Sequence, residues 1–170
     1  MAQSNAFKFA NNILTNGGYD AADLVGAAGG PTAGQVIQVL SATDSTQRNT
    51  SSTSFVTGSN TMSVSITPSS ASNKIFVIAT GGGGLDGSAL AYYTIVRDST
   101  NLGNSTKGMM VIRGNSGSVY AGATMSVLDS PNTTSSITYK VQFRSTSGSV
   151  NAFWNYDEGK SSITVMEIKG

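Results

Sequence analysis

Ile137-Thr138-Tyr139-Lys140-Val141-Gln142-Phe143-Arg144 alternates apolar and polar side chains for eight residues without a break. Successive side chains of an extended strand point to opposite faces, so this octet has one dry face and one wet one. The same period of two appears on either side of it. Met62, Val64 and Ile66 alternate with Thr61, Ser63 and Ser65, and Val119, Ala121, Ala123, Met125 and Val127 form a third such series. Ile75-Phe76-Val77-Ile78-Ala79 and residues 89–96 are apolar at nearly every position. Strands of that kind are covered on both faces, by a second layer or by a neighbouring subunit. Further strands are predicted at 36–41, 54–57, 109–113, 150–155 and 163–168. Gly58-Ser59-Asn60, residues 68–73, Asn115-Ser116-Gly117 and residues 145–149 supply the turns between them. About ten short strands with turns every dozen residues or so describe an all-β fold, an antiparallel β-sandwich of jelly-roll type.

Composition agrees with that reading. Of 170 residues only 11% are charged, against roughly 25% in an average soluble domain, and Ser and Thr make up roughly a quarter. Thr is β-branched, and hydroxyls suit the wet face of a pleated sheet. The net charge is +1, with Lys and Arg scattered singly, so the basic stripe of a nucleic-acid binder is missing. Without Cys there is no disulfide framework, and without His the commonest general base and metal ligand is lacking. No window approaches a membrane span, and the N-terminus lacks the charged flank and apolar run of a signal peptide. No cofactor is expected. The Asn-X-Ser/Thr triplets at 49, 104 and 132 are the chance matches of a chain this rich in Asn, Ser and Thr.

Composition shifts near Gly34. Residues 1–16 read as a short helix with Ser4 as N-cap and Asn16-Gly17-Gly18 as its stop, and a second turn covers 19–25. Residues 26–34 form a Gly-rich linker, and 35–170 the sandwich. Phe7, Phe9, Ile13, Leu14, Tyr19 and Leu24 give the 1–25 arm an apolar character that needs a surface to cover it. These six residues are therefore candidates for anchoring the chain to a larger particle.

Sites of chemistry are few. Gly81-Gly82-Gly83-Gly84 lacks the Lys-Ser/Thr pair of a phosphate loop and reads as a flexible loop between two strands. Asp157 and Glu158 are adjacent, so in an extended segment their carboxylates point apart and cannot face each other as a glycosidase pair does. Asp98 and Asp129 sit in turn sequences where an Asp side chain accepts backbone N–H bonds. Phe153 and Trp154 must face opposite ways, so at least one leaves the core. Core or interface packing is the commoner role for such a ring. Trp154, Tyr156 and Asp157, beside the loop 157–160, are the candidate contacts for a ligand such as a host-surface glycan.

Several ordered blocks carry a family resemblance over 34–170. They are Val39-Leu40-Ser41-Ala42-Thr43; Thr50-Ser51-Ser52-Thr53-Ser54-Phe55; Met62-Ser63-Val64-Ser65-Ile66-Thr67-Pro68-Ser69-Ser70; and Ser72-Asn73-Lys74-Ile75-Phe76-Val77. Val96-Arg97-Asp98-Ser99-Thr100, Leu128-Asp129-Ser130-Pro131 and Ile163-Thr164-Val165-Met166-Glu167-Ile168 complete the set. Together they resemble the surface β-domain of tailed-bacteriophage virion proteins: tail fibres, spikes, and head decoration or fibre proteins. The resemblance implies a structural or attachment role without catalysis and a homotrimer joined to capsid or tail proteins. It also implies location in the virion after synthesis in the host cytoplasm. It brings no functional residues with it. The brevity of the segment before the domain fits a short spike, decoration or fibre piece docked directly on the particle.

Overall fold

A computed structural model of the chain describes residues 30–59 and 61–170. The helix expected over 1–16, the turn over 19–25 and the six candidate anchoring side chains lie outside the described residues.

The described residues form twelve strands, which fall into eight columns. β1 (Val36–Asp44) and β2 (Arg48–Thr50) make the first, and β3 (Val56–Thr57) and β4 (Ser63–Ile66) the second. β5 (Lys74–Leu85) and β6 (Leu90–Arg97) follow, then β7 (Thr100–Asn101) with β8 (Met110–Arg113). β9 (Val119–Asp129), β10 (Ile137–Ser145), and β11 (Ala152–Trp154) with β12 (Ser161–Ile168) complete the chain. All pairings are antiparallel. Sheet A runs β1/β2, β12/β11, β5, β9; sheet B runs β3/β4, β10, β6, β7/β8. Numbered by column, these orders are 1-8-3-6 and 2-7-4-5. Each of the first four columns therefore pairs with its mirror from the last four, as in a long hairpin rolled up on itself. That is the jelly roll.

The alternation read from sequence sorts side chains as expected. On β10, Ile137, Tyr139, Val141 and Phe143 are buried, while Thr138, Lys140, Gln142 and Arg144 face outward and are half-buried. Between the sheets, the Tyr93 and Phe143 rings stack at 6.1 Å and Tyr93 meets Trp154 at 5.8 Å. The Tyr93 hydroxyl donates to the Phe153 carbonyl at 2.9 Å and accepts from the Gly84 N–H at 2.9 Å. This ties sheet B to sheet A, and burial pushes the phenol well above its ordinary pKa.

The two strands read as apolar on both faces have different fates. On β6 the outward Tyr92, Thr94 and Val96 are buried by the chain itself. Arg144 lies 4.8 Å over the Tyr92 ring and donates to the Thr106 carbonyl, and Thr94 bonds Asn101 at 2.6 Å. On β5 the outward Phe76 and Ile78 stay half-exposed.

Polar groups at the ends of the core are paired. Buried Glu167 accepts from the Ser69 N–H (2.6 Å), the Ser69 hydroxyl (2.8 Å) and the Asn73 amide (2.6 Å), fastening the turn after Pro68. Burial pushes its carboxyl pKa up, but these donors together outweigh that and hold it below the ordinary value. Asp98, at φ 52°, accepts a backbone N–H as expected, but from Thr138 of the neighbouring strand β10 at 2.9 Å and not from its own turn. Asp129 departs from expectation. It closes β9 and turns inward, and its carboxylate accepts from the Arg97 guanidinium (2.9 and 2.7 Å) and the Tyr139 hydroxyl (2.6 Å). A carboxylate at the mouth of the inter-sheet space finds two side-chain donors on the opposite sheet, and these replace the local backbone N–H groups.

Candidate functional site

The glycine run is where structure departs furthest from the sequence reading. Gly81–Gly84 is not a loop; all four residues lie inside β5, a central strand of sheet A. Their alternation explains the composition. A Cβ on Gly81 would collide with the Ser161 side chain and lie 2.7 Å from Trp154 Cζ2, and one on Gly83 would lie 2.9 Å from Tyr93 and Ile112. Both positions face the core. Gly82 and Gly84 face outward, under Tyr156 and Tyr120 respectively. A strand without side chains admits bulky rings close to its backbone on both faces.

On the outer face those rings form a cluster. Tyr120 from β9 stacks on Tyr156 with centroids 3.5 Å apart and planes 15° from parallel. Phe153 from β11 meets Tyr120 at 6.0 Å and Tyr156 edge-on at 5.6 Å. Tyr120 is 40% exposed, whereas Phe153 is buried beneath its two neighbours. The adjacent Tyr120 hydroxyl, with lesser effects of desolvation and the Asp157 carboxylate, raises the Tyr156 phenol above its ordinary pKa.

Tyr156 is presented by a tight 3₁₀ turn, Tyr156–Glu158. Asn155, Asp157 and Glu158 all take left-handed backbone conformations (φ 56–57°), which disfavour residues other than glycine. Bonds from below hold the turn: buried Asn155 donates to the Thr46 carbonyl at 3.1 Å and accepts the Ser161 hydroxyl, and the Asp157 N–H donates to Gln47 at 2.9 Å. The Asp157 side chain is exposed at the rim of the cluster.

The three candidate contacts therefore separate. Tyr156 and Asp157 sit together at the surface. Trp154 does not join them: its ring has no exposed area and lies between the sheets, so it cannot stack on an external ligand. The rule that neighbours on a strand face opposite ways holds here, with Phe153 as the one that leaves the core. Tyr120 is one of the chain's several strand aromatics and nothing local marks it as a contact, because its membership depends on β9 pairing with β5, a contact between residues 36 apart in sequence. Chemically the cluster offers flat apolar rings edged by hydroxyls and a carboxylate, suited to stacking and hydrogen bonding. Among the described residues no cluster of three metal-ligating side chains occurs, and no helix is long and apolar enough to cross a membrane.

The fold defines the class as an all-β jelly-roll sandwich. No family model matches the sequence, and no curated protein matches it. Among solved structures, a chain from the structure of infectious bursal disease virus Gt strain has a TM-score of 0.35 with 11% identity. The match covers 83% of this chain and 40% of that one, and at that score it carries no functional argument.

Proposed function

We propose that this chain is a non-enzymatic structural protein of a tailed-phage virion, a short fibre, spike or decoration protein. In this reading residues 1–25 anchor it to capsid or tail proteins, and three copies project their jelly rolls outward. The ordered sequence blocks support the family. The observation that carries the assembly role is the outer face of sheet A. Of the outward positions on β1, β12, β5 and β9 only Lys74 is charged, and Val36, Val39 and Leu128 are each more than half exposed. A sheet face this poor in charge is the mark of a surface that other protein covers. Deleting residues 2–25 is expected to leave a folded, soluble oligomer that no longer enters particles, as measured by copurification with virions. Incorporation of the truncated chain at wild-type level would refute the anchoring role.

The Tyr120–Phe153–Tyr156 cluster favours a second duty, recognition of host-surface glycan, because sugar rings stack on exposed aromatic faces. On a glycan array the chain is expected to give a signal that falls at least tenfold in Tyr156→Ala while the unfolding temperature stays within a few degrees, since the ring is only half-buried. An array silent for the unmodified chain would remove this duty and leave the structural one standing.

A further inference from the structure

Strand β9 forms one edge of sheet A, and its residues pair on one side only, with β5. Among the described residues no backbone hydrogen bond is made on its other side. The register fixes which groups are left over. The Asp86 N–H, next after β5, donates to the Asn151 carbonyl on the β11 side. Even-numbered residues of β5 therefore aim their backbone groups at the β12/β11 column, and odd-numbered ones aim theirs at β9. Ile75 to Leu85 pair odd with odd against Asp129 to Val119. It follows that Tyr120, Gly122, Thr124, Ser126 and Leu128 direct their N–H and C=O groups away from the sheet, along the open edge.

Open edges invite strand addition, and the other edges of the sandwich are guarded against it. β2, β3, β4, β7 and β8 have only two to four residues each. β1 has a break in register between Val36 and Gln38 and ends on Asp44 beside Arg48. β9 has none of these devices: from Val119 to Leu128 it carries no charge, no Pro and no break in register. We infer that this edge pairs with the same edge of a second copy, antiparallel about a two-fold axis through Thr124, so that one sheet runs across both chains. Extended backbone is the partner such an edge fits, because a strand offers donors and acceptors at the same period. A second copy is the strand that matches. With Thr124 opposite Thr124, Tyr120 meets Leu128 and Gly122 meets Ser126, and all five outward-bonding residues are paired. Any other two-fold register leaves at least one of them without a partner inside the strand. Side chains agree, since all five are exposed on one face. Aromatic lies against aliphatic at both ends, small against small between, and Thr against Thr at the axis. This contact rests on the edge alone and goes beyond the structural role proposed above, whatever joins copies elsewhere.

The chain contains no cysteine, so an introduced thiol reports its own partner. In this pairing the two Thr124 Cα atoms stand about 5.5 Å apart, within disulfide range. The full chain carrying Thr124→Cys, under mild oxidation, is expected to run on a non-reducing denaturing gel at twice the 17.4 kDa of one chain. Ser126→Cys lies four residues along the strand from its counterpart, about 13 Å, and is expected to stay single. Adding Gly122→Cys, where a Cβ meets open space, is expected to restore the doubled band. In that double variant Thr124→Pro is expected to abolish crosslinking with an unchanged circular dichroism spectrum. The Thr124 N–H bonds no described residue, so Pro removes nothing from the fold itself. Should Pro disturb the strand, Thr124→Lys sets two ammonium groups opposite each other and is expected to cut the doubled band at least tenfold. No doubled band from Thr124→Cys, an equal yield from Ser126→Cys, or a band that survives Thr124→Pro overturns the pairing and leaves the structural reading standing.

Discussion

Asp129→Ala is expected to lower the stability of the sandwich by about 3–5 kcal/mol, the usual cost of removing one member of a buried ion pair. The carboxylate on β9 of sheet A holds two groups of sheet B at once, the Arg97 guanidinium and the Tyr139 hydroxyl. Its removal leaves a cation that is 22% exposed and a fully buried phenol without their acceptor. Burial, the largest cause that holds the Tyr139 phenol well above its ordinary pKa, persists without Asp129, so the phenol does not ionise in compensation. Denaturant titration should show the loss, and calorimetry a fall in Tm of about 10 °C or more. Asp129→Leu with Arg97→Met and Tyr139→Phe removes both charges and the buried hydroxyl and is expected to recover most of it, because the penalty lies in the orphaned partners. A loss below about 1 kcal/mol for Asp129→Ala would show that the two sheets are not joined there.

Trp154→Ala is expected to cost a similar amount, about 3–5 kcal/mol. The ring has no exposed area, and the glycines at 58 and 81 leave it room: a Cβ on either would come within 3.4 and 2.7 Å of the indole. A backbone already so close cannot collapse far into the cavity, which places the cost at the upper end for large-to-small changes. Trp154→Phe is expected to cost much less, because the indole N–H is buried without a hydrogen-bond partner and its removal relieves a desolvated donor. As the single Trp of the chain, its blue-shifted emission should report the native state. Far-ultraviolet circular dichroism serves for the substituted proteins. Wild-type stability in Trp154→Ala would place the ring outside the core and reopen its role as a ligand contact.

These two positions also show where sequence reasoning stops. The strand pattern around residues 137–144 was legible because a period of two is a local consequence of backbone geometry, and the structure follows it residue by residue. The aromatic cluster was half legible. Tyr156 and Asp157 lay beside an evident turn, and the opposite facing of Phe153 and Trp154 was foreseen. Which of the two entered the core was not, since that depends on the phase in which β11 pairs with β5. Gly81–Gly84 misled for a related reason. Glycine has no side chain to alternate, so a central strand and a flexible loop look alike until the rings packed against it are known.

By itself, then, the sequence determined the class of fold, the positions of the strands with clear alternation and the poverty of charge, all of which follow from local alternation and composition. The glycine half of β5 and the short β2 and β7 were not legible. Only the tertiary structure decided the rolled-up pairing of first columns with last, the inward turn of Asp129, and the meeting of Tyr120 with Tyr156. These depend on register between segments far apart in the chain, and a shift of one residue would send every side chain to the other face.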